Sequence, residues 1–121
     1  MAHFPISRQQ GTNLLRDALG PEADFRSDQW DAIDAIVNAR QRILVVQRTG
    51  WGKSIVYFLS TRLLRESGEG ITLIVSPLIS LMRNQIDHAE RFGVRAVTIN
   101  SSNNEEWQQH FEVKYIIMDV L

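Results

Sequence analysis

The sequence contains no cysteine. Disulfides and thiolate metal sites are therefore excluded, and a cytoplasmic setting is the expected location. No apolar run approaches the roughly 20 residues that a membrane helix needs, so no transmembrane segment and no membrane partner are expected. The start, Met1-Ala2-His3-Phe4-Pro5, has neither the basic residues nor the apolar stretch of a secretory signal. Charge of one sign is also missing. With 13 Lys and Arg against 14 Asp and Glu the formal net charge is −1, so nucleic-acid binding cannot be read from bulk charge and any polyanion contact must be local. His3, His88 and His110 are scattered without ligand spacing, which argues against a metal site built from side chains alone. Repeats and low-complexity tracts are absent. A length of 121 residues, 44% hydrophobic and 22% charged, bounds the chain to one ordinary globular domain or less.

What is present is concentrated in Ile43-Leu44-Val45-Val46-Gln47-Arg48-Thr49-Gly50-Trp51-Gly52-Lys53-Ser54. The short β-branched run reads as a buried strand, and Ile55, Phe58, Leu59 and Leu63 recur after the loop at helical spacing. Strand, glycine loop and helix stand in the order of a phosphate-binding loop, where backbone N–H groups and a helix N-terminus face an anion. Lys53 would reach the β and γ phosphates, and the Ser54 hydroxyl would ligate Mg²⁺. The full pattern G-x-x-x-x-G-K-[ST] asks for glycine where the chain has Gln47, so the surviving part is T-G-x-G-K-S. The competing reading of these residues is a glycine turn with a solvated lysine at the helix start. Trp51, inside the loop, either shields a nucleotide or lies on the surface.

Around this stretch the pattern alternates. Residues 7 to 19 are expected to be helical, with Ser7 or Thr12 as N-cap, Leu14, Leu15, Ala18 and Leu19 as apolar positions, and Gly20-Pro21 as the stop. A second helix should start near Ser27 as its cap, with Asp28 and Asp31 in the first turn and Trp30, Ile33, Ile36 and Val37 facing inward. Residues 38 to 42 form a turn, and residues 66 to 70 a polar connection. Ile71 to Val75 reads as a second buried strand closed by Ser76-Pro77. A helix over residues 79 to 92 with Leu81, Met82, Ile86 and Ala89 would stop at Gly93, and Arg95 to Ile99 would be a third strand. Asn100 to Asn104 reads as loop, followed by a short helix bearing Trp107 and Phe111, and then by the apolar segment 115–121. Such alternation implies a parallel α/β sheet with ligands at the carboxyl ends of its strands.

Three separated segments stand in order along the chain: Phe25-Arg26-Ser27-Asp28-Gln29, Gln47 to Ser54, and Val75-Ser76-Pro77-Leu78-Ile79-Ser80-Leu81-Met82-Arg83-Asn84-Gln85. Together they resemble the first RecA-like lobe of RecQ-type superfamily 2 DNA helicases, over about residues 12 to 121. The segments are similar to that family's F-R-x-x-Q adenine segment, its T-G-x-G-K-S loop, in which the leading glycine is commonly absent, and its V-S-P-L-I-S-L-M-x-x-Q segment. The resemblance implies an α/β, three-layer, RecA-like P-loop NTPase fold with a parallel sheet, here incomplete. Residues 1–24 would be a helical lead-in and 25–121 a partial first lobe.

It also implies roles. Gln29 would read adenine, since an amide both donates and accepts, and Arg26 would support the base or the adjacent loop. Arg48, Thr49, Gly50, Trp51, Gly52, Lys53 and Ser54 would hold ATP with Mg²⁺, Lys53 being the catalytic residue. Ser76, Pro77, Leu78, Ser80, Arg83, Gln85 and Asn100 would track single-stranded or partially duplex DNA along its backbone, without sequence information. Taken alone, Leu78, Leu81 and Met82 would be core positions, and Arg26 with Gln29 a solvated pair. One departure concerns the base: the family's aromatic residue three positions before the Phe is Glu22 here, which weakens base selectivity.

Ile116-Ile117-Met118-Asp119 looks like a strand ending in a Mg²⁺-binding aspartate, but Val120 follows where a catalytic glutamate is needed. The resemblance places this segment before the family's Mg²⁺-binding motif, which implies that Asp119 is structural. Phosphoryl transfer to water needs a second Mg²⁺ anchor, a residue orienting the water and an arginine from elsewhere. In the resembled family these belong to a D-E-x-H motif and a second RecA-like lobe, neither found in this sequence. The expectation is the ATP-binding part of an ATP-dependent, 3′ to 5′ DNA helicase, enzymatic in the full-length protein, with weak nucleotide binding and no unwinding by the fragment alone. An incomplete sheet would leave an edge open to association; the oligomeric state is left open. The alternatives are a non-catalytic nucleotide or DNA-binding module, or another P-loop NTPase such as a small kinase.

Overall fold

A computed structural model describes residues 5–76, 82–99 and 115–119. In chain order the elements are α1 (Arg8–Leu19), α2 (Gln29–Val37), α3 (Lys53–Glu66), β1 (Thr72–Ser76), α4 (Met82–Arg91), β2 (Ala96–Ile99) and β3 (Tyr115–Asp119). Of the sequence expectations, those for Pro77 to Leu81 and for residues 100–114, including the short helix with Trp107 and Phe111, lie outside the described residues.

Helix α1 starts where the cap chemistry places it. Ser7 Oγ accepts from the Gln10 N–H at 3.2 Å, and Gln10 Oε1 accepts from the Ser7 N–H at 2.8 Å. These reciprocal bonds satisfy two of the donors a helix start leaves over. Thr12, the other candidate cap, is buried inside the helix. Gly20 ends it at φ 114°, its N–H donating to the Arg16 carbonyl at 2.8 Å.

The start of α2 differs from expectation. Asp28, not Ser27, is the N-cap; it is left-handed at φ 72° and makes no side-chain cap bond. The reason lies in the next segment, which already holds the region: Arg26 donates its N–H to Gln29 Oε1 at 2.7 Å, and the Ser27 carbonyl accepts from Trp51. Ile33 and Val37 are buried as expected. At the far end, Asn38 bonds the Ile6 backbone in both directions, at 2.7 and 2.8 Å, which ties the approach to α1 to the end of α2.

Two expected strands need correction. Residues 43–46 are not a strand, because none of the described sheet's strands pairs with them, and a strand exists only where a neighbour takes its N–H and C=O groups. Val45 packs against the core while Leu44 and Val46 point outward, 87% and 80% exposed. Strand β1 forms, one residue later than expected, but it is not buried on both faces: Ile74 packs on the core, whereas Ile71, Leu73 and Val75 are each more than half exposed.

The sheet is three-stranded in the order β1-β3-β2, and both pairings are parallel. Ile117 of β3 faces Ile74 on one side and Thr98 on the other. Parallel neighbours need long connections, and α4 lies within the connection from β1 to β2. Gly93 ends α4 as expected, left-handed at φ 70°, with its N–H on the Glu90 carbonyl at 2.9 Å.

The core forms around α3. Phe58 and Leu59 are fully buried, with Ile33 and Leu15 coming from α2 and α1 and Phe92 from the end of α4. Phe58 and Phe92 stack with ring centroids 6.3 Å apart. Burying one such side chain contributes about 1.5–3 kcal/mol, so the position of α3, and of the loop leading into it, is fixed by its buried face.

Candidate nucleotide-binding site

Two glycines shape the loop before α3. Gly50 at φ 89° and Gly52 at φ 101° are left-handed, a region in which a Cβ is strained. Gly52 is also the N-cap of α3, and no side chain caps that end. First-turn N–H groups left without a side-chain partner are suited to an anion. Lys53 is the first residue of α3, exposed, and its Nζ donates to the Gln47 carbonyl. The ammonium thus folds back over the loop it belongs to. Ser54 follows, half-buried, while Arg48 and Thr49 are exposed. Left-handed glycines, a helix start that no side chain caps, a lysine over the loop and a hydroxyl beside it fit a nucleoside triphosphate with its Mg²⁺. Among the described residues no group of three or more His, Cys, Asp or Glu could hold a metal ion.

The segment 25–29 is locked to this loop. Gln29 is 1% exposed, and its Nε2 donates to the carbonyls of Trp51 at 3.0 Å and Gly52 at 3.2 Å. Its Oε1 accepts from Arg26, so the amide is satisfied by the protein on both sides. A Cβ on Gly52 would run into this same amide. The Arg26 guanidinium donates to the Gly50 carbonyl. Trp51 Nε1 donates to the Ser27 carbonyl at 3.2 Å. Trp51 does not lie on the surface: at 8% exposure it belongs to the core.

Beside this junction lies a cavity of about 250 Å³ lined by Arg8, Phe25, Arg26, Ser27, Asp28, Trp30 and Asp31. The Arg8 guanidinium carbon stands 5.8 Å from the centre of the Phe25 ring, and Phe25 and Trp30 are 5.7 Å apart. Arg8 had no motif to mark it in the sequence; only the packing of α1 brings it here.

The expected DNA-contact residues are described in part. Ser76 ends β1 and is aligned with Asp119 at the end of β3. Arg83 and Gln85 lie on α4, and Gln85 Oε1 accepts from the Tyr57 hydroxyl at 3.1 Å, joining α4 to α3. Burial raises the Tyr57 pKa above the ordinary value. Pro77, Leu78, Ser80 and Asn100 lie outside the described residues.

Residues 26–120 match the model of the DEAD/DEAH box helicase family. The chain belongs to this family. Membership carries a RecA-like α/β fold, and the similarity is RecQ-like. The chain is 37% identical over 111 residues to the ATP-dependent DNA helicase RecQ of Haemophilus influenzae, covering 92% of this chain and 17% of that protein. It is 42% identical over 94 residues to RecQ of Bacillus subtilis, covering 78% of this chain and 15% of the relative. With the ATP-dependent DNA helicase Q1 of Rattus norvegicus it shares 36% over 94 residues, 78% of this chain and 14% of the relative. The chain thus spans a small part of the length of each of these proteins. Among the described residues no helix is long and apolar enough to cross a membrane.

Proposed function

We propose that this chain is the ATP-binding part of a RecQ-like, ATP-dependent DNA helicase that couples ATP hydrolysis to 3′ to 5′ translocation on single-stranded DNA and to duplex unwinding. The observation that carries the reading is the bonding of segment 25–29 to the glycine loop through Gln29, Arg26 and Trp51. Two segments that the family resemblance marked as nucleotide-binding are in contact, in a chain of the helicase family. Residues 25–121 would be a partial first lobe of a three-layer domain, and 1–24 its lead-in. The protein would work in the cytoplasm or nucleoid, or in a nucleus.

In this reading Arg26, Gln29 and residues 48–54 make the nucleotide site. The loop amides and the N-terminus of α3 face the phosphates, and Lys53 leaves the Gln47 carbonyl to neutralise the β and γ oxygens. The Ser54 hydroxyl would hold a Mg²⁺ brought with ATP, which would supply charge neutralisation on the phosphates. Ser76, Arg83 and Gln85 would lie along the DNA backbone together with Pro77, Leu78, Ser80 and Asn100. Hydrolysis would need a second lobe and a water-orienting residue that these positions do not supply. The test is ATP hydrolysis by the full-length protein with and without single-stranded DNA. Stimulation by DNA is expected, and a rate indifferent to DNA would remove the helicase reading.

A further inference from the structure

Trp51 sits between the two left-handed glycines of the loop. A glycine on each side makes this the stretch with most backbone freedom to lose on becoming ordered. The chain holds it by every group that residue 51 offers. The backbone N–H donates to the Arg48 carbonyl at 3.2 Å, the carbonyl accepts from Gln29 Nε2 at 3.0 Å, and the indole N–H donates to the Ser27 carbonyl at 3.2 Å. The ring itself is buried in the hydrophobic core. The anchors differ in kind: the Arg48 bond closes the loop on itself, while the other two reach Ser27 and Gln29 at the start of α2.

We infer that Trp51 is a positioning residue that holds the phosphate loop and segment 25–29 as one body before nucleotide arrives, and so sets affinity for the triphosphate without choosing the base. The inference rests on the nucleotide-site reading above. A loop fixed in advance loses less conformational freedom when a ligand binds, and that saving appears as affinity. The ring occupies the core, on the protein side of the loop, so it acts through the loop backbone. Its effect is therefore the same for any ligand that carries the phosphates.

The experiment compares Trp51→Phe with the unsubstituted chain, using Mg-tripolyphosphate, Mg-ATP and Mg-GTP in calorimetry. Phenylalanine keeps a ring in the core and removes the N–H. If Trp51→Phe does not unfold cooperatively, benzothienylalanine at position 51 replaces it, since that side chain keeps the indole's size and lacks only the donor. Loss of one hydrogen bond that leaves a carbonyl unpaired corresponds to about a threefold to tenfold weakening. That factor is expected to be equal for all three ligands, with faster hydrogen exchange at the amides of residues 48–53. A side chain that merely fills the core would lower the thermal midpoint and leave the affinity of the folded protein unchanged, which would overturn the inference. A loss confined to ATP, with tripolyphosphate unaffected, would overturn it too. If the unsubstituted chain binds none of the three ligands, the phosphate-loop reading fails first and takes this inference with it.

Discussion

The side-chain amide of Gln29 and the backbone carbonyl of Trp51 stand 3.0 Å apart, a bond between residues 22 positions apart in the chain. With its contacts to Arg26 and Gly52, Gln29 makes three bonds to backbone groups while almost fully buried. Gln29→Ala leaves those groups without their partner and should cost about 2–4 kcal/mol of unfolding free energy, measured in urea, because each unpaired buried polar group costs about 1–3 kcal/mol and solvent recovers some of it. Since the amide is committed to the loop, ATP and GTP affinities should fall together. An ATP-selective loss would mean that Gln29 leaves the loop to read adenine.

Lys53 is exposed and, among the described residues, donates to the Gln47 carbonyl of its own loop, so its removal should leave the fold intact. Lys53→Ala is expected to abolish Mg-ATP binding in calorimetry with little change in the thermal midpoint. Unchanged affinity would take the lysine out of the site.

Gly11 lies in the middle of α1, where glycine is about 1 kcal/mol worse than alanine. Propensity alone says that Gly11→Ala should stabilise the protein. The structure says the reverse, because a Cβ there would stand 2.6 Å from the Trp30 ring. Overpacking of this kind costs about 1–3 kcal/mol, so a lowered thermal midpoint is expected, and a raised one would show that Trp30 can yield.

Tyr57 titrates above its ordinary value of 10.0 because burial disfavours the charged form. The unfolded chain therefore releases this proton first as pH rises, and stability should decline above about pH 10. Tyr57→Phe should flatten that decline while costing about 1 kcal/mol at neutral pH through the lost bond to Gln85. An alkaline limb as steep as before would assign the effect to other groups.

The sequence was most informative where local chemistry decides the outcome. Ser7 with Gln10, Gly20, Gly93 and the helical spacing of Phe58, Leu59 and Leu63 are legible because a cap or a buried stripe needs only near neighbours. It misled at residues 43–46, where composition favours a strand but the pairing depends on a partner elsewhere. The outward faces of β1 and Trp51's inward turn were hidden for the same reason: burial is a property of what packs opposite. Within the site, Lys53 and Ser54 stood out through spacing, whereas Arg8 is brought in by α1 packing and has no signature. Gln29 was marked as an adenine reader, and that its amide bonds the Trp51 and Gly52 carbonyls could not be read from the sequence.

Strand β3 lies between β1 and β2, which do not pair with each other. This makes residues 115–119 the keystone of the sheet and gives folding an order. The contacts that α1, α2 and α3 make with one another join residues within the first 66, whereas β1 waits for a partner 43 positions later, from Thr72 to Tyr115. Non-local pairing is slow because the intervening chain must first be ordered. During synthesis the helices and the phosphate loop should therefore be assembled while the sheet does not yet exist. Arrested nascent chains should acquire protease-resistant helices well before residue 115 emerges, and Trp51 should already be shielded from solvent quenchers at that stage.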